Sequence, residues 1–378
     1  MKIAIIGGGN IGMALLSMLS DSDEELILFT SKKIAVPLFC CDLENKTSKR
    51  ITHYAITNDA KKALCNAKLI LCTYPAHVRK NFIEHCGNYI ESGSFLGFIP
   101  GYGGAECLCN SLIQKGVTVF GLQRVPCVAR SQMTNAKVIS NILSRKKTIY
   151  VASIPSSYGE KISKRLEELL NIKCVVLKEY LSVTLGTSNP LLHTVGVYNI
   201  FKNSTPDSVF SKEIKLYEAW NDSASELLLA YDREVKSVCN SLAKPPFNFK
   251  YITDEVVDLA TYYESSSAAL LTKKLKSIPS FSNVMAPLKK SGVGYIPNLQ
   301  SRMFSEDFPF GVCLIKEFAL LANVQTPTVD LLLEFYEKFA GFSYYNSDNT
   351  KGKDYFLTGA PMANGIRSNS ELIKFYKM

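Results

Sequence analysis

The sequence predicts an α/β domain built on a largely parallel sheet over residues 1–180, followed by an all-α domain over residues 181–378. Short apolar runs alternate with helical stretches through the first part, which is typical of a parallel sheet with helices on both faces. Beyond about residue 180, strand-like runs largely disappear and apolar residues recur at helical spacing. The chain is long enough for two hydrophobic cores.

The first element is a buried strand that leads directly into a glycine-rich turn. The apolar residues 3–6 precede Gly7, Gly9 and Gly12, which fit G-x-G-x-x-G at the start of a helix. In this motif the glycines permit a tight turn, close approach of a pyrophosphate, and close packing of helix on strand. The alternative is a glycine turn with a purely structural role. The motif predicts a Rossmann-type dinucleotide-binding domain, with cofactor contacts from Gly7, Gly9, Asn10, Ile11 and Gly12.

Further strands follow at regular intervals in the first domain. They are predicted at 26–30, 69–73, 94–99, 117–121, 147–152 and 174–178. Ligands in such sheets bind at the carboxyl ends of the strands. The loop that begins Tyr74-Pro75-Ala76 and the loop 100–104 should therefore border the cofactor, with Tyr74, Pro75 and Ala76 in contact with it.

Helices dominate the second domain. They are predicted at 190–202, 211–241, 254–276, 309–322, 327–340 and 369–376, with a polar loop at 344–358. Asn189 before Pro190, and Thr326 before Pro327, predict N-caps followed by a proline in the first turn. Gly341 predicts the end of the helix at 327–340.

The end of the second strand indicates which dinucleotide is preferred. NAD-binding domains usually place a carboxylate there, against the ribose hydroxyls. This chain instead has Thr30, Ser31, Lys32 and Lys33, whose hydroxyl and ammonium groups suit a 2′-phosphate. We therefore expect Thr30, Ser31 and Lys32 to contact the cofactor, with NADP preferred and NAD as the alternative. The other interpretation is that the two lysines belong to a solvated turn.

Composition and charge exclude several classes of protein. No apolar run reaches the ~18 residues of a membrane-spanning helix, and a strand at the N-terminus leaves no room for a signal peptide, so we expect a cytoplasmic protein. The eleven cysteines are scattered and the histidines number four, so we expect reduced thiols and no metal site. The net charge of +9 lacks the basic and aromatic array of nucleic-acid-binding proteins, and it suits anionic ligands.

Several segments together carry a resemblance to a known family. The most specific are Asn189-Pro190-x-x-His193 and Arg302-x-x-x-Glu306-Asp307-x-Pro-Phe-Gly311. Other matching segments are 73–77, 100–104, 124–130, 217–219, 231–234, 324–327, 352–354 and 358–361. With these the chain resembles the opine dehydrogenases, the octopine/nopaline dehydrogenase family, nearly from end to end.

The resemblance implies an NAD(P)H-dependent reductive condensation. A 2-oxo acid such as pyruvate and the amino group of an amino acid would form an imine, and hydride would reduce it to an N-(carboxyalkyl) amino acid. The resemblance further implies that His193 and Asp307 form the acid–base pair, and that Arg302 binds the oxo-acid carboxylate.

The residues themselves are compatible with these roles and with simpler ones. His193 lies in the first turn of a predicted helix, whose N-terminus disfavours imidazolium, whereas a nearby carboxylate would favour it. A histidine under such opposed effects can titrate near neutrality, as acid–base catalysis requires. The alternatives are a capping or core role for His193, an N-cap role for Asp307, and a surface ion pair between Arg302 and Glu306.

Two competing functions share this architecture. One is a ketopantoate-reductase-like 2-oxo acid reductase, which generally relies on a catalytic lysine that we do not find here. The other is a non-catalytic NADPH-binding sensor, which would not need the acid–base set. Gln123 stands where the family often has a carboxylate, and this disfavours a strongly basic amino substrate. The identities of both substrates and the oligomeric state, for which a homodimer is one candidate, stay open.

Overall fold

The computed structural model describes residues 1–34, 37–134, 137–265, 267–292 and 294–378. The chain forms two compact units. The first contains residues 1–184 and 373–378, and the second contains residues 185–372. The expected α/β domain followed by a helical domain is confirmed.

Strands of the first unit form two sheets. In chain order they are β1 (Lys2–Ile6), β2 (Glu25–Phe29), β3 (Leu38–Asp42), β4 (Thr47–Ile51), β5 (Ala55–Thr57), β6 (Ala67–Cys72), β7 (Phe95–Phe98), β8 (Thr118–Leu122), β9 (Cys127–Met133), β10 (Val138–Arg145), β11 (Thr148–Ile154) and β12 (Lys173–Val176). The larger sheet has the order β12-β11-β8-β7-β6-β1-β2-β5. Its neighbours pair in parallel except β8 and β11. All seven predicted strands lie in this sheet.

The smaller sheet, β4-β3-β10-β9, was missed by the sequence prediction. Its strands are half-buried: β3 alternates between buried and partly exposed residues, and β4 is mostly exposed. Strands β4 and β10 therefore lack the continuous apolar runs that marked the central strands, whereas the apolar run Leu38–Cys41 of β3 was not recognised as a strand. The sheet supports the glycine loop, because the Ser131 N–H of β9 donates a hydrogen bond of 2.8 Å to Oδ1 of Asn10.

Helices of the first unit are α1 (Asn10–Leu19), α2 (Ala60–Leu64), α3 (Ala76–Cys86), α4 (Asn110–Gln114), α5 (Gly159–Leu170) and α6 (Leu181–Leu185). Helix α1 begins directly after the glycine loop and is buried along most of its length. Its Leu15 and Leu19 pack in one core with Ile3, Ile5 and Leu71 of the central strands. This core fixes the start of α1 against the end of β1.

Among its described residues, the second unit consists mainly of helices and also contains a two-stranded hairpin. Its helices are α7 (Asn189–Phe201), α8 (Asp222–Leu242), α9 (Ile252–Glu255), α10 (Leu259–Tyr262), α11 (Ala268–Ser277), α12 (Arg302–Ser305), α13 (Cys313–Leu321), α14 (Pro327–Ala340) and α15 (Asn369–Tyr376), whose last residues belong to the first unit. A π-helical segment, Phe308–Val312, precedes α13. The hairpin, β13 (Leu288–Ser291) with β14 (Gly294–Pro297), departs from the all-α prediction. Within the described ranges, no helix has the length and apolar character needed to cross a membrane.

Two predicted helices are wrong in extent. The helix predicted at 211–241 begins only at Asp222, because Asn221 caps it and residues 214–216 pair with residues 284–286 instead. The helix predicted at 254–276 is three short helices, with Asp258 and Ser267 each accepting a capping hydrogen bond that starts a new one. Helices α14 and α15 match their predicted bounds.

Of the two predicted N-caps, Asn189 is wrong in position, whereas Thr326 is the N-cap residue of α14 as predicted, although its side chain makes no capping hydrogen bond. Asn189 is the first helical residue of α7 rather than its cap. At α14, the Glu234 carboxylate of α8 accepts hydrogen bonds from the N–H groups of Thr328 and Val329, and so supplies the capping interaction expected of Thr326. Gly341 adopts the left-handed conformation and ends α14 as predicted.

Candidate functional site

The glycine loop has the shape that a dinucleotide pyrophosphate requires. Gly7 has a φ of +107°, a conformation that favours glycine, and a Cβ on Gly12 would lie 1.8 Å from the Gly7 carbonyl oxygen. By contrast, a Cβ on Gly9 would meet nothing within 4 Å. The loop is therefore tightly packed on its protein side and open at Gly9, where the motif brings the backbone to the pyrophosphate. These residues fit the cofactor.

The start of α1 presents backbone rather than side-chain groups. The Asn10 side chain is bonded to β9, and Ile11 packs against the core of the first unit. The predicted contacts from these two residues would therefore be made by N–H groups of the first helical turn, at the positive end of the helix dipole.

The loop after β2 remains the predicted site of the 2′-phosphate. Thr30 is buried, and its hydroxyl oxygen accepts a hydrogen bond of 3.2 Å from the Lys32 N–H. Ser31, Lys32 and Lys33 are exposed. The loop thus presents one hydroxyl and two ammonium groups to solvent, which is compatible with phosphate binding and with a solvated turn.

The loop after β6 lies against the glycine turn. The Thr73 hydroxyl donates to the Ile6 carbonyl at 2.9 Å, and the Tyr74 ring would lie 3.1 Å from a Cβ on Gly7. Burial raises the pKa of the Tyr74 hydroxyl to about 12. Pro75 precedes α3, and Ala76 is its first, buried residue. The structure therefore brings Tyr74 beside the predicted pyrophosphate loop.

His193 and Asp307 are in direct contact in the second unit. Nδ1 of His193 and Oδ2 of Asp307 are 2.8 Å apart. The carboxyl side chain is 4% exposed and the imidazole is 21% exposed. With the buried carboxylate as acceptor, the neutral imidazole carries its proton on Nδ1 and keeps a lone pair on Nε2. This arrangement can accept and return a proton at Nε2.

Close packing of two segments makes this contact possible. His193 lies in the first turns of α7, and Asp307 precedes the π-helical segment Phe308–Val312. A Cβ on Gly311 would lie 2.4 Å from Cβ of Pro190. Only a residue without a side chain allows the π-helical segment to approach the start of α7 this closely.

We expect Gly311→Ala to weaken both the fold and the acid–base pair. The added methyl group must displace Pro190, which typically costs ~1–3 kcal/mol in a packed core. The melting temperature should fall, and turnover should fall further than loss of folded protein explains, because His193 moves with α7. Gly292→Ala is the matched control, since a Cβ there meets nothing within 4 Å. Equal behaviour of the two variants would contradict this account.

Arg302 and Glu306 form the ion pair that the sequence left open. Nε of Arg302 donates to Glu306, whose side chain is fully buried, while the Arg302 side chain is 58% exposed. Glu306 thereby anchors one edge of the guanidinium. Binding of a substrate carboxylate by Arg302 stays a prediction.

The segment 231–234 supports the site in ways that sequence reasoning missed. Besides Glu234 at the start of α14, Asp232 accepts a hydrogen bond of 2.7 Å from the Leu259 N–H. Tyr231 is fully buried, and among the described residues its hydroxyl has no hydrogen-bond partner. Burial raises the pKa of Tyr231 well above its usual value, and the nearby charge of Asp307 adds to this. The Tyr-Asp-x-Glu pattern of residues 231–234 was the available signal.

Trp220 is a core residue. It is buried, its ring stacks on Tyr217 at 5.7 Å, and its Nε1 donates to the Ser225 hydroxyl at 2.9 Å. Gln123, also buried, donates to the Ser182 carbonyl at 3.0 Å. Both side chains thus have structural partners within their own units.

Comparisons with known proteins agree with this architecture. The family model for the NAD/NADP octopine/nopaline dehydrogenase alpha-helical domain matches residues 176–340. Octopine dehydrogenase of Mizuhopecten yessoensis is 21% identical, over 99% of this chain and 98% of the relative. A solved structure of octopine dehydrogenase with NADH and pyruvate has a TM-score of 0.82 at 19% identity, covering 98% of this chain and 97% of that chain.

A second solved structure extends the similarity to a relative with the other cofactor. Yersinopine dehydrogenase with NADP+ bound has a TM-score of 0.67 at 13% identity, covering 90% of each chain. The match of the helical domain and the similarity along the whole chain lead to one assignment. Residues 176–340 form an alpha-helical domain of the NAD/NADP octopine/nopaline dehydrogenase family, in a chain that is similar along its length to octopine dehydrogenase in sequence and fold.

Proposed function

We propose that this protein is an opine dehydrogenase, which condenses a 2-oxo acid such as pyruvate with the amino group of an amino acid. The resulting imine is reduced to a secondary amine that carries both carboxylates. The observation that carries the proposal is the 2.8 Å contact between His193 Nδ1 and Asp307 Oδ2. It would supply the acid–base group that imine chemistry needs, in a chain whose helical domain matches that of the octopine/nopaline dehydrogenases.

Proton transfer is the step assigned to His193. The amine must lose a proton before it attacks the carbonyl carbon, and the hydroxyl of the adduct must gain one before it leaves as water. Nε2 of His193 is the atom that would exchange these protons, because Nδ1 is held by Asp307. The Asp307 carboxylate would stabilise the imidazolium between the two transfers.

Substrate and cofactor binding would use the other predicted residues. The bound nicotinamide supplies the hydride that reduces the imine carbon. The loop from Gly7 to Gly12 would bind the pyrophosphate through backbone N–H groups. Arg302 would bind the oxo-acid carboxylate through its planar guanidinium, whose orientation is restricted by the bond to Glu306.

A direct assay of NADPH oxidation tests the reaction. Oxidation of NADPH by the purified protein is followed with pyruvate, with and without pooled amino acids. We expect oxidation to require both substrates, and subdivision of the pool then identifies the amine. Oxidation with pyruvate alone would instead assign a 2-oxo acid reductase. Tight NADPH binding without oxidation in any mixture would favour the cofactor-binding sensor.

The loop after β2 leads us to propose a preference for NADP over NAD. Replacing Lys32 and Lys33 together by alanine should weaken NADPH binding by about tenfold, as expected for loss of charge-assisted hydrogen bonds to a phosphate, and leave NADH binding nearly unchanged. Dissociation constants from cofactor fluorescence measure both. The exposed pair Lys289 and Lys290, replaced in the same way, controls for net charge. An equal loss for both cofactors would contradict the preference.

A further inference from the structure

Arg79 is a buried cation whose guanidinium group binds backbone carbonyls of two separate loops. It lies in α3 and is 1% exposed. Nε donates to the Tyr74 carbonyl at 3.0 Å, Nη2 to the Pro100 carbonyl at 2.8 Å, and Nη1 to the Tyr102 carbonyl at 2.5 Å. The guanidinium also lies 5.4 Å from the centre of the Phe98 ring.

The two loops that Arg79 joins occupy a particular place in the sheet. One follows β6 and the other follows β7, and these strands are neighbours on the side of β1 that is opposite to β2. A Rossmann-type sheet consists of two mononucleotide-binding halves that meet beside the first strand, with ligands at the carboxyl ends of the strands. The glycine loop and the loop after β2 belong to the adenosine half. The loops after β6 and β7 belong to the nicotinamide half.

Arginine is chemically suited to bind several carbonyl groups of two loops at once, and lysine is not. A guanidinium is planar and presents donors in several fixed directions, whereas a lysine ammonium is a single point on a flexible chain. Each buried carbonyl that loses its donor costs ~1–3 kcal/mol. Burial raises the pKa of Glu106, which follows the second loop; hydrogen bonds from Thr184 and Tyr376, and to a smaller extent the positive charge of Arg79, oppose this rise. Arg79 therefore holds the loops through its three directional hydrogen bonds.

We propose that Arg79 is a positioning residue that holds the loops after β6 and β7 in the conformation that receives the nicotinamide half of the cofactor. It acts through the backbone of Tyr74, Pro100 and Tyr102 rather than by touching the cofactor. The inference rests on the cofactor dependence in the proposed function, and it is independent of which 2-oxo acid or amine reacts.

The test compares Arg79→Lys with the unsubstituted protein for two probes. NADPH contains both halves of the cofactor, and 2′-phospho-ADP-ribose lacks the nicotinamide. We expect the variant to bind NADPH at least about tenfold more weakly, as loss of one or more buried hydrogen bonds implies, and to bind 2′-phospho-ADP-ribose with nearly unchanged affinity. Retained binding of the fragment also shows that the glycine loop is folded.

Arg165→Lys serves as the matched control. Arg165 lies on α5 and pairs with Glu24, which immediately precedes β2 and therefore belongs to the amino-terminal edge of the sheet. This variant should bind both probes as the unsubstituted protein does. Unchanged NADPH affinity in Arg79→Lys, or equal weakening of both probes, would overturn the proposal. The affinities for NADPH and for 2′-phospho-ADP-ribose do not depend on the condensation reaction. The test of Arg79 therefore remains valid even if the proposed reaction is not found.

Hydrogen exchange on the unsubstituted protein gives a second test that needs no variant. If Arg79 preorganises the loops, segments 73–77 and 100–104 exchange slowly before any cofactor is added, and NADPH slows them only slightly. Rapid exchange without cofactor, followed by strong protection on NADPH binding, would show that the cofactor itself orders the loops. That outcome would overturn the proposal even if Arg79→Lys failed to fold.

Discussion

Replacing His193 by alanine is expected to lower turnover by about 10²–10⁴-fold, the usual contribution of a positioned general acid–base group. The affinity for NADPH should stay nearly unchanged, because His193 belongs to the helical unit and the predicted cofactor contacts lie in the first unit. Initial rates with saturating substrates, together with cofactor fluorescence titration, measure the two quantities separately.

His85→Ala is the matched control for this experiment. His85 is an exposed histidine near the end of α3. Its Nδ1 lies within hydrogen-bond distance of the Asn81 carbonyl of the same helix. Its removal should leave turnover nearly unchanged. If His193→Ala retained most of the activity, the assignment of the acid–base group would be wrong, whatever the protein binds.

Gly9→Ala is expected to separate cofactor binding from folding. Gly9 has φ −93° and ψ −171°, which an alanine adopts without strain, and a Cβ there meets nothing within 4 Å. The cofactor-free protein should therefore unfold at nearly the same temperature. NADPH affinity should fall by at least about tenfold, because an intruding methyl group typically costs ~1–3 kcal/mol. Thermal unfolding without cofactor and NADPH titration provide the measurements.

Gly12→Ala provides the contrasting case. Its Cβ would lie 1.8 Å from the Gly7 carbonyl oxygen, a backbone atom that can move only with the turn itself. This variant should lose stability as well as cofactor affinity. The glycine loop would have a merely structural role if Gly9→Ala bound NADPH as tightly as the unsubstituted protein. A large loss of stability in Gly9→Ala would contradict the open space at that position.

The elements that could be predicted from the sequence are those whose signals are contiguous. The strand 2–6, the glycine turn and the start of α1 follow one another within a dozen residues, so their geometry depends mainly on local sterics. The continuous apolar runs of the central strands and the Pro327–Ala340 helix were similarly recognisable. The segment 211–221 was not, because its residues 214–216 pair with backbone distant in sequence rather than within a helix.

The second sheet illustrates the same limit. Strands β3 and β4 bury only some of their side chains and gain their stability from pairing with distant partners, such as β3 with β10. Strand formation depends on such non-local pairing more than on intrinsic preference. A short half-buried segment therefore gives too weak a local signal for prediction.

For the candidate site, the sequence indicated the residues, and the tertiary structure decided which of them interact. Local patterns and family resemblance indicated His193, Asp307 and Arg302 as residue types suited to acid–base and carboxylate chemistry. They left open whether Asp307 caps a helix or orients His193, and whether Arg302 pairs with Glu306. The structure brings Asp307 to His193 across 114 positions of sequence and pairs Arg302 with Glu306.

The physical reason is that these choices depend on packing between distant segments. Asp307 reaches His193 because Gly311 lets the π-helical segment approach Pro190 closely. Arg79 likewise acquires its place only when α3 folds back on the loops after β6 and β7. The chemical role that a residue can play is predictable from its neighbours in sequence. The partner of a buried polar group is not, because it depends on which distant segments pack together in the hydrophobic cores.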